Sequence, residues 1–138
     1  MIISGVSQSG KTTFVSNLLT YPELFTKPPR EVILFYKVSQ DVYDDLHRKK
    51  LITKLVDVSD GIPSLDEIYE MVRPFKNEGG SLMIFDDVLS DITKDFETLF
   101  CQSSHHFNSS IMYLVQNLFY QDKAFRTMSL NAHYIVIM

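Results

Sequence analysis

The chain has 138 residues, 45% hydrophobic and 22% charged, which suits one globular domain with a single core and is too short for two. A formal net charge of −4 excludes an overall basic footprint for nucleic acid, though not a local DNA-binding loop in a ring-shaped oligomer. The single cysteine, Cys101, excludes an internal disulfide and suits a reducing compartment, where it reads as a half-buried thiol on a helix.

Met1–Ser4 is short, apolar and β-prone, with no signal peptide ahead of it, and no apolar run approaches the ~20 residues that span a bilayer. Gly5–Thr12 then fit the phosphate-binding loop pattern G-x-x-x-x-G-K-[ST] at every fixed position. A loop can ring phosphates with backbone N–H groups only where some residues lack a Cβ, and Gly5 and Gly10 supply that freedom. Lys11 offers a point charge to the β- and γ-phosphates, and the Thr12 hydroxyl can ligate Mg²⁺. Val6, Ser7, Gln8 and Ser9, with Thr13, complete the candidate nucleotide-binding set. From Thr12 to Leu19 the apolar residues recur at helical spacing, and that helix would aim its positive end at the same anion. A chance match on a flexible turn is the competing reading; the strand–loop–helix context argues against it.

Tyr21–Arg30 is a loop, since Pro22, Pro28 and Pro29 forbid a continuing helix. Glu31–Tyr36 is a continuous apolar, β-branched run, as a strand buried on both faces of a parallel sheet reads. Asp41–Lys50 follows as a polar helix, with Arg48, Lys49 and Lys50 as a solvated end or, alternatively, a phosphate contact. A short strand is expected at Leu55–Val58. Ser64 and Glu67 form a capping-box pattern opening a helix that runs to about Arg73, where Pro74 disrupts it. Asn77–Gly80 is the turn out.

Ser81–Asp87 is an apolar strand ending in paired acids, expected beside the strand of the phosphate loop. Ligands of open α/β sheets gather at such strand ends. Asp86 would hold Mg²⁺ and Asp87 would orient and polarise an attacking water. In isolation the pair reads first as a solvated acidic turn; the loop upstream favours the site. Ile92–Ser104 reads as an amphipathic helix with Ile92, Phe96, Leu99 and Phe100 on one face, ended by Ser103–Asn108. His105 and His106 are adjacent and point apart, with no further ligands to complete a metal site. Ser110–Val115 is another buried strand. Gln116 at its end could reach a γ-phosphate or its water, or satisfy local backbone instead. Gln121–Arg126 is a polar loop before a last strand at His133–Met138. Arg126 is a surface charge or an arginine finger offered to a neighbouring subunit. The abrupt strands at both ends lead us to expect a chain cut at both ends relative to a complete domain.

The loop Gly5–Thr12, the strand Leu82–Asp87, and above all Leu114-Val115-Gln116-Asn117-Leu118-Phe119 with Arg126 and Ser129-Leu130-Asn131 resemble the genome-packaging ATPases of the FtsK–HerA superfamily. Within it the resemblance is to those of Polinton/Maverick transposons, adintovirus-like elements, virophages and poxvirus-type viruses. It implies a RecA-like P-loop NTPase fold, an α/β three-layer sandwich with a mostly parallel sheet. It also implies ATP and Mg²⁺ as cofactors, a homo-oligomeric ring, and translocation of double-stranded DNA into a capsid. By resemblance Lys11, Asp87, Gln116 and Arg126 are catalytic, and Thr12 and Asp86 hold the metal. An intracellular setting, in the virion or in the host nucleus or cytoplasm, follows from the same resemblance. Asp87 stands where many relatives carry the longer Glu. Two other readings stay open: a truncated nucleotide-binding remnant without motor activity, and a small P-loop kinase.

Overall fold

The structure, a computed structural model, describes residues 1–88, 93–119 and 122–138, without the side chains of residues 103–105. Six strands form one parallel sheet: β1 (Ile2–Ser4), β2 (Glu31–Tyr36), β3 (Lys54–Asp57), β4 (Ser81–Asp86), β5 (Ser109–Val115) and β6 (Ile135–Ile137). Their order across the sheet is β3-β2-β4-β5-β1-β6. Five α-helices connect them: α1 (Lys11–Thr20), α2 (Asp41–Arg48), α3 (Leu65–Val72), α4 (Lys94–Phe107) and α5 (Lys123–Leu130).

The chain first steps across the sheet in one direction, from β1 to β2 to β3, and then reverses through β4 and β5 to β6. Right-handed crossovers therefore put α1 and α2 on one face and α3, α4 and α5 on the other. The two apolar layers follow that division. Ile33, Phe35, Met83, Phe85 and Tyr113 meet Ile68, Val72, Phe96, Leu99, Phe125 and Met128. Their alternating neighbours Val32, Leu34, Leu82, Ile84 and Met112 meet Val15, Leu19, Tyr43 and Leu46. Because successive side chains of a strand point to opposite faces, a strand covered on both must be apolar through its middle, as β2, β4 and β5 are, with their polar residues kept to the strand ends. Phe85 stacks on Phe35 at 4.4 Å and receives the edge of Phe96 at 4.7 Å, which anchors β4 just before its terminal acid.

Several expectations need correction. β4 does not lie beside β1: β5 stands between them, and β1 pairs with β5 and β6. Every interior strand reads as a continuous apolar run, so composition carries no information about which of them are neighbours. The polar loop expected to end at Arg126 is instead largely helix α5. Asp122 caps it by accepting the Ala124 and Phe125 N–H groups at 2.8 and 3.1 Å, and Phe125 and Met128, three residues apart, bury one side. The helix before β5 does not stop near the histidine pair. It continues to Phe107, whose ring stacks on Tyr69 at 4.3 Å, and Asn108 ends it in the left-handed conformation, φ 52. β3 lies one residue earlier than expected, with Val58 N–H closing on the Tyr36 carbonyl at 2.9 Å. Ile92 and Gln121, and the side chains of Ser103, Ser104 and His105, fall outside the described residues.

Candidate functional site

Reversal of winding direction opens a crevice at the carboxyl ends of the strands, because the connection leaving β1 turns to one face and that leaving β5 to the other. A cleft of about 470 Å³ lies there. Ser7, Gln8, Gly10, Lys11, Thr12 and Thr13 line it from the loop after β1, and Gln40 and Val42 from the segment after β2. Asp86 and Asp87 reach it from the end of β4, and Leu114 and Gln116 from the end of β5.

The loop is held in shape by its own backbone. Gly5 N–H donates to the Val115 carbonyl at 3.0 Å, and Ser9 N–H closes a turn on the Val6 carbonyl at 3.1 Å. Gln8 and Gly10 adopt left-handed conformations, φ 63 and 96, and interleaving that conformation with right-handed residues is how backbone makes an anion-binding concavity. A Cβ at Gly5 would lie 2.4 Å from Ser9 Oγ and 3.0 Å from the Met138 carbonyl, a closeness that only glycine permits without rearrangement. No side chain caps α1 at Gly10, and no acid stands in its first turn. The N–H groups that open any α-helix have no intrahelical acceptor, so those of α1 stay available for an anion. Lys11 lays its ammonium across the loop, donating to the carbonyls of Gly5 at 2.5 Å and Val6 at 3.0 Å.

Across the cleft the two acids differ in environment. Asp86 is buried, 7% exposed, and its Oδ2 accepts a short hydrogen bond from the Tyr43 hydroxyl. Burial pushes its carboxyl above the ordinary carboxylate range and the Asp87 charge adds to this, while the Tyr43 bond and Lys11 oppose it. Tyr43 is held well above the usual phenol range, first by burial and then by Asp86. Asp87 is exposed and left-handed, φ 55, and its N–H reaches the Leu114 carbonyl at 3.3 Å. Its Oδ2 accepts from Gln116 Nε2 at 2.9 Å.

Of the candidate residues, the fold therefore brings together Ser7, Gln8, Gly10, Lys11, Thr12, Thr13, Asp86, Asp87 and Gln116. Gly5, Val6 and Ser9 shape the loop without lining the cleft, and Val6 is largely exposed. Arg126 sits on the exposed side of α5 and does not line the cleft. Sequence reasoning missed Gln40 and Tyr43. The signal for Tyr43 was its spacing of three from Leu46 in an otherwise charged helix, which marks a buried stripe.

The doubly wound parallel sheet, with a glycine-rich loop between β1 and α1 at this crevice, has the α/β fold of P-loop NTPase domains, and similar solved structures share that fold. The cytoplasmic domain of EssC superposes with a TM-score of 0.63 at 16% identity, over 99% of this chain and 30% of that one. EccC (ATPases 2 and 3) from Thermomonospora curvata, in complex with a signal sequence peptide, gives a TM-score of 0.57 at 13% identity, over 99% and 29%. The chain belongs to the poxvirus A32 protein family, matched over residues 1–137. It is also 38% identical over 84 residues to the 5-hmdU DNA kinase of Pseudomonas phage PaMx11, covering 59% of this chain and 44% of the kinase. The chain thus spans less than half the length of these relatives. Among the described residues no helix is long and apolar enough to cross a membrane.

Proposed function

We propose that this chain binds and hydrolyses ATP to move double-stranded DNA, as a translocase of the genome-packaging type. One observation carries the reading: a loop with Lys11 and Thr12 faces Asp86, Asp87 and Gln116 across a single cleft, and Gln116 is bonded to Asp87. Membership of the A32 family supports it. Lys11 moves from the Gly5 and Val6 carbonyls onto the β- and γ-phosphates. The α1 N-terminus and the loop N–H groups hold the remaining phosphate charge.

The Thr12 hydroxyl and the Asp86 carboxylate are hard oxygen donors on opposite walls of the cleft, a donor set that fits Mg²⁺. When bound, Mg²⁺ neutralises charge developing on the phosphate oxygens. Asp87 takes up the proton of the attacking water, and Gln116 keeps its carboxylate aimed at that water. Arg126, exposed on α5, acts in a homo-oligomeric ring on the nucleotide bound by a neighbouring subunit. Capsid proteins are the further partners this reading implies.

The similarity to the phage DNA kinase favours a second reading, phosphotransfer to a DNA hydroxyl. Asp87 would then accept the proton of that hydroxyl in place of water's.

The test is steady-state ATP turnover with and without double-stranded DNA, run beside Lys11→Ala and Asp87→Asn, with γ-labelled ATP to follow the phosphate. DNA-stimulated release of inorganic phosphate, lost in both variants, is the expected result. Label retained on DNA would turn the assignment to the kinase. Nucleotide binding without turnover under any condition would leave a binding domain.

A further inference from the structure

The side chains of Gln40 and Tyr43 form a relay to Asp86 that belongs to no sequence motif. Gln40 is the residue preceding α2, where a side chain commonly caps the helix, yet its side chain makes no cap bond. Its Nε2 donates instead to the Tyr43 hydroxyl at 2.8 Å, and that hydroxyl donates to Asp86 Oδ2. A phenol has one proton. With it committed to Asp86 and an amide N–H behind it, the direction of donation runs from Gln40 through Tyr43 to the carboxylate. The tyrosine cannot turn away easily, because it is 2% exposed and its ring lies 5.4 Å from that of Tyr36. One oxygen of Asp86 is therefore fixed, and Oδ1, which accepts no hydrogen bond among the described residues, is the one left for the cleft.

We propose that Tyr43, steadied by Gln40, is a positioning residue that orients Asp86 toward the divalent cation accompanying the nucleotide. The inference rests on the reading of Asp86 as the metal-binding acid. Gln40 also lines the cleft, so the relay joins the segment after β2 to the metal position and makes α2 part of the site. Residues that orient a metal ligand commonly set the affinity of the metal without touching it.

The experiment titrates Mg²⁺ into protein with a fluorescent ATP analogue and compares binding with that in EDTA, for wild type, Tyr43→Phe, Gln40→Ala and Asp86→Asn. Phenylalanine keeps the ring and removes only the hydroxyl. For Tyr43→Phe the Mg²⁺ midpoint should rise about tenfold, the lower end for loss of an outer-shell partner, while affinity in EDTA stays within about twofold. Gln40→Ala should move the midpoint the same way by about threefold, and it remains informative if Tyr43→Phe folds poorly. Midpoints unchanged in both variants while Asp86→Asn loses the Mg²⁺ effect would overturn the positioning role. An Asp86→Asn titration like wild type would overturn the metal role of Asp86, and the proposal with it. A parallel loss of affinity in EDTA and in Mg²⁺ would reduce Tyr43 to packing.

Discussion

Gln116 at the end of β5 donates its side-chain amide to the Asp87 carboxylate at the end of β4, 2.9 Å away and 29 residues earlier in the chain. Two polar strand ends that looked independent in the sequence are one hydrogen-bonded unit, and units of that kind lose function together. With Asp87 as the proposed general base, Gln116→Leu is expected to lower the turnover number about 100-fold, the scale for disabling such a base, with little change in nucleotide affinity. The double variant with Asp87→Asn should be hardly worse than Asp87→Asn alone. Steady-state kinetics beside nucleotide titrations measure both quantities. Losses that multiply would mean that the two side chains act separately.

Asp86 ties stability to pH. Its carboxyl is held above the ordinary range chiefly by burial, so the folded state binds a proton more tightly than the unfolded chain does. The stability linked to that proton is present in full below the unfolded carboxylate pKa of about 3.9, and it is lost as pH rises through the folded value. Asp86→Asn removes the ionisation and keeps an acceptor for Tyr43. The variant should melt higher than wild type at pH 7, by roughly 4 °C for each 1 kcal/mol gained, with the difference vanishing near pH 3.5. Melting curves across that range decide it, and an unchanged or lower melting point at neutral pH would refute the sign.

Gly80 tests the turn before β4. It holds φ +77, and a Cβ there would stand 2.3 Å from the Asn108 carbonyl oxygen and 2.9 Å from the Asn108 side-chain amide. Backbone cannot swing aside as a side chain does. Gly80→Ala should cost about 2–4 kcal/mol. Gly61→Ala, also at positive φ but with nothing within 4 Å, should cost only about 1–2 kcal/mol. Urea midpoints compare the two, and equal losses would show that crowding at Asn108 contributes nothing.

Ser64 and Glu67 satisfy each other's backbone at the start of α3, with Ser64 N–H to Glu67 Oε2 at 2.8 Å and Glu67 N–H to Ser64 Oγ at 3.3 Å. Ser64→Ala should destabilise the domain by about 1 kcal/mol. Chemical denaturation reads this directly, and a neutral result would place the helix start elsewhere.

Local rules recovered the glycine-rich loop, the capping box and the acidic strand end, because each is written in residues a few positions apart. Gly10 must be left-handed where Lys11 starts a helix, and Ser64 must reach Glu67 across one turn. Relations across the sheet were a different matter. Nothing near Tyr43 says that its hydroxyl meets an acid 43 residues later, nor that β5 separates β1 from β4. Helix α5 escaped for a smaller reason: Phe125 and Met128 are too few to show a period among the polar residues around them.

The interposed β5 also sets a width. Neighbouring strands lie about 4.8 Å apart, so the strand leading to Lys11 and the strand ending in Asp86 stand roughly 10 Å apart. An ion pair needs its charges within about 4 Å, and Lys11 turns to the carbonyls of its own loop instead. The two walls thus resemble the plates of a charged capacitor, kept from shorting by one strand of spacer. A guest that is anionic toward Lys11 and cationic toward Asp86 bridges them. Had β4 bordered β1, that spacer would be gone, and the two strands would stand only about 4.8 Å apart.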